Sequence, residues 1–241
     1  MIDIHCHLMP AVDDGAKTLE DSLKIFRSAT NAGITDIILT PHYIKGTDYE
    51  FNNRSKNQII EILKEALRRE NIKIKIYTGN EVYIDQKLPE MIKKGKVATL
   101  ANSRYLLLEL PINSEDNSAG NVIFELKSMG ITPIIAHPER YEYIKAHPER
   151  VKRYLELGCL LQGDYHSLFG KYGRKAQKTL KMLIKRGQIS FLASDTHKAS
   201  QAYRLAEAEK VALKLTKSRE KTEDLFYKNP MKIIKDKEVK L

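Results

Sequence analysis

Seven short apolar runs recur along the chain, each followed by a stretch with helical spacing, and this alternation restricts the fold more than any other feature. The runs at residues 2–5, 35–40, 72–78, 105–110, 132–136, 159–162 and 189–194 are rich in Ile and Leu. Strands that are apolar almost throughout are buried on both faces. Residues 19–32, 59–69, 88–94, 122–129, 148–157 and 175–186 predict helices between them, and 201–215, 220–227 and 230–235 predict three more at the end. The polar stretch 43–57 predicts a mobile loop over the strand ends. Strands joined by helices run parallel, with the helices covering them. Seven such units favour a closed barrel over an open doubly wound sheet. The expected fold is therefore α/β, a distorted (β/α)7 TIM-like barrel forming a single domain over residues 1–241.

Composition narrows the function mainly by exclusion. No apolar run approaches the roughly 20 residues needed to cross a bilayer, and residues 1–5 lack the basic and apolar regions of a signal peptide. A cytoplasmic location without membrane insertion is expected. The net charge of +10 invites a nucleic-acid reading, but residues 198–241 hold 12 basic and 7 acidic residues, a mixed-charge tail of amphipathic helices. A solvated face is expected there, with no nucleic-acid partner and some attraction for acidic protein segments. Cys6 and Cys159 sit in apolar runs and read as buried hydrophobes. Neither begins a Cys-x5-Arg phosphate loop, since Val12 and Tyr165 stand where the Arg is needed. No Gly-x-Gly-x-x-Gly or Walker pattern follows any strand.

What stands at the strand ends carries the chemistry. His5 and His7 are two apart, so a strand turns both imidazoles to one side and Cys6 to the other. Asp13 and Asp14 follow in the next loop. The second strand leads to His42, the third to Glu81, the fourth contains Glu109, the fifth leads to His137, and the seventh to Asp195 and His197. In a parallel barrel these ends share one rim, where catalytic residues collect. His147, at a helix start, and His166, in a loop, read as ordinary surface. Glu109, inside Leu-Leu-Leu-Glu-Leu, needs a cationic partner, because an unpaired buried carboxylate is costly. His5, His7, Asp14, His42, Glu81, Glu109, His137, Asp195 and His197 are too many ligands for one ion. They imply two or three divalent ions, and a nitrogen and oxygen set without thiolate suits manganese, iron or zinc better than copper.

Seven ordered segments resemble the polymerase-and-histidinol-phosphatase (PHP) superfamily, and more closely the bacterial PHP-type tyrosine phosphatases of capsule and exopolysaccharide loci. They are Met-Ile-Asp-Ile-His-x-His at 1–7, Val-Asp-Asp-Gly at 12–15, Thr-Pro-His at 40–42, Gly-Asn-Glu at 79–81, Ser-Arg-Tyr-Leu-Leu-Leu-Glu at 103–109, Ile-Ala-His-Pro-Glu-Arg at 135–140 and Ala-Ser-Asp-Thr-His at 193–197. Asn229-Pro230 extends the likeness toward the C-terminus. The resemblance implies one ion on His5, His7, Glu81 and Asp195, a second on Glu81, Glu109 and His137, and a third on Asp14, His42 and His197. It assigns Arg140 to the phosphate, and Arg204 is the candidate for a second phosphate-binding arginine. A metal-activated hydroxide is expected to attack a phosphotyrosine phosphorus in line, with no cysteinyl intermediate. The implied substrate is the tyrosine-rich tail of an autophosphorylating bacterial tyrosine kinase governing polysaccharide export. Histidinol-phosphate phosphatase and PHP-type metal-dependent nuclease are the alternatives, and a non-catalytic binding module is a further one.

Overall fold

A computed structural model describes residues 1–51, 53–201 and 203–239. Within the predicted loop 43–57 and the predicted helix 201–215, Asn52 and Ala202 fall outside the described residues, as do residues 240–241 of the expected 1–241 domain. The strands are β1 (Ile2–Asp3), β2 (Asp36–Leu39), β3 (His42–Tyr43), β4 (Lys75–Thr78), β5 (Glu81–Tyr83), β6 (Tyr105–Glu109), β7 (Thr132–Ala136), β8 (Leu160–Asp164) and β9 (Phe191–Ala193). The helices are α1 (Leu19–Asn31), α2 (Asn53–Arg69), α3 (Leu88–Lys93), α4 (Ala119–Ser128), α5 (Glu142–Ala146), α6 (Val151–Glu156), α7 (Gly173–Lys185), α8 (Leu205–Thr216), α9 (Arg219–Glu223) and α10 (Asn229–Ile234), with a π-helical turn, Asp224–Lys228, between the last two.

All strand pairs are parallel, as the alternation predicts, but they form two sheets, ordered β1-β2-β4 and β3-β5-β6-β7-β8-β9. The second and third predicted strands, 35–40 and 72–78, correspond to β2 and the shorter β4, and each is followed beyond its predicted end by a further short strand, β3 and β5. Pro41 lacks an N–H, and the Thr40 hydroxyl instead accepts the Cys6 N–H at 3.0 Å, so β2 stops and β3 resumes at His42. Gly79 and Asn80 divide β4 from β5. A Cβ at Gly79 would lie 2.7 Å from Leu100 Cδ2 and 3.2 Å from Leu100 Cα, so the chain passes there only without a side chain. Asn80 then bonds back to the Pro41 carbonyl at 3.1 Å and fixes the kink.

The expected distorted barrel is present as an α/β fold whose parallel strands are divided between two sheets. Beyond β1 the chain meets the end of β9 through one bridge, Cys6 to Thr196, flanked by Asp195 N–H to His5 O and His7 N–H to Thr196 O, both 2.9 Å. Between β1 and that bridge, the Asp3 carboxylate accepts the Ser194 N–H at 3.1 Å and the Ser194 hydroxyl at 2.5 Å, so side-chain bonds stand where ladder bonds are interrupted.

Strand alternation divides the apolar residues between two cores. Leu106 and Leu108 pack outward with the helices, while Tyr105 and Leu107 turn inward with Ile2, Ile4, Ile38, Ile134, Leu160 and Phe191. Ile233 on α10 and Val239 join that inner layer, and the Tyr105 hydroxyl holds the closing segment, donating to Lys237 O at 2.8 Å and accepting from Val239 N at 2.9 Å. Helix α2 starts earlier than periodicity predicts, so the expected 43–57 loop ends in helix. Helix α5 was not predicted. The predicted 148–157 helix is a 3-10 turn (Pro148–Arg150) followed by α6.

Candidate metal centre

Glu81 lies at the middle of the rim. Its Oε2 is 3.1 Å from His5 Nε2, 3.2 Å from His7 Nε2 and 3.1 Å from His42 Nδ1, and its Oε1 is 2.9 Å from His137 Nε2. Asp195 Oδ1 faces His5 Nε2 and His7 Nε2, each at 3.3 Å. Glu109 approaches His137 at 3.7 Å and His42 at 3.9 Å. Asp14 Oδ1 is 3.4 Å from His197 Nε2 and 3.6 Å from His42 Nε2. The structure therefore gathers all nine sequence-predicted ligand candidates. Among the described residues three clusters with ligand spacing emerge: His5, His7, Glu81 and Asp195; His42, Glu81 and Glu109; and His7, Asp14, His42 and His197. The first is the set the resemblance implies. In the other two, His42 joins Glu81 and Glu109, His137 stands beside them through Glu81, and His7 joins the Asp14 group.

Local backbone explains how the side chains arrive there. The β3–β5 register sets His42 opposite Glu81, and the kink at Gly79-Asn80 delivers Glu81 to the rim. His137 (φ 32°) and Asp195 (φ 46°) occupy left-handed backbone, a costly conformation for non-glycine residues that recurs at functional sites. At Gly15 a Cβ would fall 2.0 Å from His7 O, so the Asp-Asp-Gly turn folds back on the His-x-His segment only with glycine.

Two residues without an assigned sequence role orient the imidazoles. Asp13 Oδ2 accepts from His7 Nδ1 at 2.7 Å and from the His42 N–H at 3.0 Å. Gln162 Oε1 accepts from His5 Nδ1 at 2.8 Å. A donor role at Nδ1 turns the Nε2 lone pair of His5 and His7 toward Glu81 and Asp195, the usual arrangement behind a metal-binding histidine. Gln162 could have been suspected as the one polar residue closing the apolar run Cys-Leu-Leu-Gln on the single strand that otherwise supplies nothing.

The electrostatics are those of a site lacking positive charge. Burial works against a charged His5, yet Glu81 and Asp195 prevail and raise it to about 9. His7 rises well above its usual range against its own burial, through Asp13. Glu81 and Asp195 are held well below the carboxylate range against burial, chiefly by His5. Burial, joined by the Glu81 charge, pushes Glu109 up to about 8, and no lysine or arginine forms the ion pair the sequence led one to expect; His42 and His137 are its near neighbours among the described residues. Burial and Arg140 lower His137 to about 4. Glu81 Oε2, Asp195 Oδ1, His42 Nδ1 and His137 Nδ1 are buried without a hydrogen-bond partner among the described residues. Buried carboxylate oxygens without a hydrogen-bond partner, clustered with imidazole nitrogens, are a cation site in their donor chemistry, and the set fits divalent ions that would displace the imidazole protons.

Arg140 stands beside this cluster. Its Nη1 donates to Asp195 Oδ2 at 2.6 Å, leaving Asp195 Oδ1 to face His5 and His7, and its guanidinium lies 4.4 Å over the Tyr172 ring. Arg204, the second predicted arginine, is exposed, pairs with Glu207 and lies 3.8 Å over Phe169. Its ion pair is thus with its own helix start rather than with a rim carboxylate. His147 is exposed, as expected. His166 is not surface: it is buried and meets Ser194 O through Nδ1 at 2.9 Å, because Asp164 caps the turn after β8 and folds residue 166 inward. Sequence reasoning also passed over Glu139, fully buried, whose Oε1 accepts from Asp164 N at 3.0 Å and Ser167 Oγ at 2.8 Å.

Fold and site together define a class: a parallel α/β protein with a dense imidazole–carboxylate cluster at the ends of its strands. Comparison with known proteins narrows it. The family described as capsular polysaccharide synthesis, CpsB/CapC, matches residues 1–235, and the chain belongs to that family. It is 33% identical over 197 residues to the Bacillus subtilis tyrosine-protein phosphatase YwqE, covering 82% of this chain and 77% of that protein. It is 32% identical over 251 residues to the Streptococcus pneumoniae tyrosine-protein phosphatase CpsB, covering 98% and 99%. A crystal structure from work on these two proteins, described as unique metal-dependent tyrosine phosphatases, superposes with a TM-score of 0.92 at 29% identity, over 100% of this chain and 96% of the other.

Proposed function

We propose that this chain is a metal-dependent protein-tyrosine phosphatase of the PHP type, with its two sheets acting as one distorted (β/α)7 barrel. Its substrate is a phosphotyrosine-bearing protein, the tail of a bacterial tyrosine kinase that regulates capsular or extracellular polysaccharide synthesis, encountered in the cytoplasm. Family membership and the named activity of relatives that align over nearly the whole chain support this reading. The observation that carries it is Glu81 Oε2, buried, without a hydrogen-bond partner among the described residues, and within 3.2 Å of nitrogens from three histidines.

His5, His7, Glu81 and Asp195 would hold one ion, Glu81, Glu109 and His137 with His42 a second, and Asp14, His42 and His197 a third. Manganese is the ion we assign, with iron and zinc suited to the same donors. Bound divalent ions neutralise the phosphate dianion and lower the pKa of water to about 7, so that a nucleophile is available at neutral pH. The chain's own groups do the rest. Asp13 and Gln162 hold the His7 and His5 rings in one tautomer. Arg140, braced by Asp195 and Tyr172, keeps N–H groups for the equatorial phosphate oxygens, where charge develops. Arg204 would contact phosphate only after leaving Glu207.

The test is elemental analysis of the purified protein together with phosphate release from a tyrosine-phosphorylated kinase tail, histidinol phosphate and single-stranded DNA, with Glu81→Ala as control. Bound divalent metal and turnover of the tail, both lost in the variant, are expected. A metal-free protein inert toward phosphotyrosine, or preferential turnover of histidinol phosphate or DNA, sinks the assignment.

A further inference from the structure

Residues 171–186 contain seven basic and no acidic residues, and α7 lies within them. Arg174, Lys178, Lys181 and Lys185 follow one another at helical spacing of four, three and four, so they form one stripe. Ala176, Thr179, Leu180, Leu183 and Ile184 are buried on the other side of the helix. Arg174, Lys178 and Lys185 are exposed and Lys181 is half-buried. None of the four enters an ion pair among the described residues.

Elsewhere several exposed cations are neutralised by acids close by in sequence, while others, such as Lys210, Lys214 and Lys235, stand without an ion pair among the described residues. On α2, Lys64 pairs with Glu61 and Arg68 with Glu65. In the C-terminal segment, where the sequence led us to expect the excess charge, Arg204 pairs with Glu207, Arg219 with Glu223, and Lys228 with Glu220, Glu223 and Asp224. The stripe on α7 has no such compensation. Like charges one turn apart repel, and Arg174 and Lys175 occupy a first turn without an acid, facing the positive end of the helix dipole. Helix stability does not account for this pattern.

Position suggests what does. Tyr172, whose ring lies under Arg140, immediately precedes α7, and α7 packs against the turn Pro138–Arg140. The stripe therefore starts next to the arginine assigned to the phosphate and runs away from it. From Arg174 to Lys185 it extends about 16 Å at 1.5 Å per residue, which about five residues of extended peptide would cover. We propose that this face of α7 is a docking track for an acidic segment flanking the phosphotyrosine, with Asp, Glu or a second phosphotyrosine within about five residues of the reacting one; a phosphate adds close to two negative charges. The proposal rests on the phosphatase reading and specifies the substrate class for it.

The experiment compares kcat/KM of the full-length holoenzyme on two phosphotyrosyl peptides, one with acidic and one with neutral flanks, at low and high salt. Wild type should prefer the acidic peptide about tenfold at low salt and lose the preference at high salt. The fourfold variant R174Q/K178Q/K181Q/K185Q should show no preference at either salt, with p-nitrophenyl phosphate turnover unchanged. If that variant misfolds, K178Q/K185Q should halve the logarithm of the preference. A wild type without preference, or a variant that retains it, overturns the proposal. So does displacement of the acidic peptide by single-stranded DNA or phosphatidylglycerol vesicles at concentrations below the peptide's own. Failure of wild type to release phosphate from either peptide overturns the phosphatase reading instead.

Discussion

The two ends of the parallel strands have opposite chemistry. Toward the start of the strands, Ile2, Ile4, Ile38, Leu107, Ile134, Leu160 and Phe191 meet Ile233 and Val239 in an apolar layer. At the other end, beside His5 and His7, Glu81, Asp195 and His137 are buried just as deeply but leave polar atoms unmatched among the described residues. Burial alone therefore does not distinguish core from site here. What distinguishes them is whether buried groups satisfy one another: the apolar layer does so by packing, while the rim does so only with added positive charge.

Four perturbations test this contrast, from the largest expected effect to the smallest. Glu81→Ala should lower phosphatase activity on the order of 10³-fold, since one carboxylate serves four imidazoles. Retention of both metal and activity would show that the cluster is organised around another residue. Phe191→Ala, in the inner layer, should destabilise by about 3–5 kcal/mol in urea unfolding while the folded fraction keeps its metal content. Coupled loss of metal at equal folded fraction would mean the two ends are not separable.

Gln162→Ala should weaken metal affinity about 10–100-fold in chelator competition, because His5 loses the acceptor that orients its ring. Unchanged affinity would assign the ring's orientation to packing alone. The last perturbation is a pH series. Burial and the neighbouring Asp164 raise Glu139 to about 8, above its unfolded value, so the folded state binds the extra proton and stability from this group declines as pH rises between about 4.5 and 8. Glu139→Gln should flatten that decline and be the more stable protein above it. Parallel pH profiles for the two proteins would show that Glu139 is charged in the fold. A kinetic comparison of Arg204→Ala with Arg140→Ala belongs beside these: a much smaller loss at Arg204 is expected from its exposed pairing with Glu207, and equal losses would place both guanidinium groups on the phosphate.

Much of this was legible in the chain. The strand ends could be located because a buried parallel strand is apolar until it reaches the rim, so His42, Glu81, His137 and Asp195 stand out where each run stops. The residues that were missed interact across strands. Gln162 acts on His5 from 157 positions away, and Asp13 joins His7 to His42 through a turn that folds only because residue 15 is glycine. His166 read as surface because its loop is polar, and no local signal announced that Asp164 would turn it inward.

The sequence by itself determined the parallel α/β order, the identity of the metal-ligand candidates and their common end of the fold, because each follows from periodicity within a few neighbouring residues. Tertiary structure decided the split into two sheets, the grouping of the ligands around Glu81 and the pairing of each arginine. Those depend on kinks at Pro41 and Gly79 and on distances between strands, quantities that local periodicity does not contain.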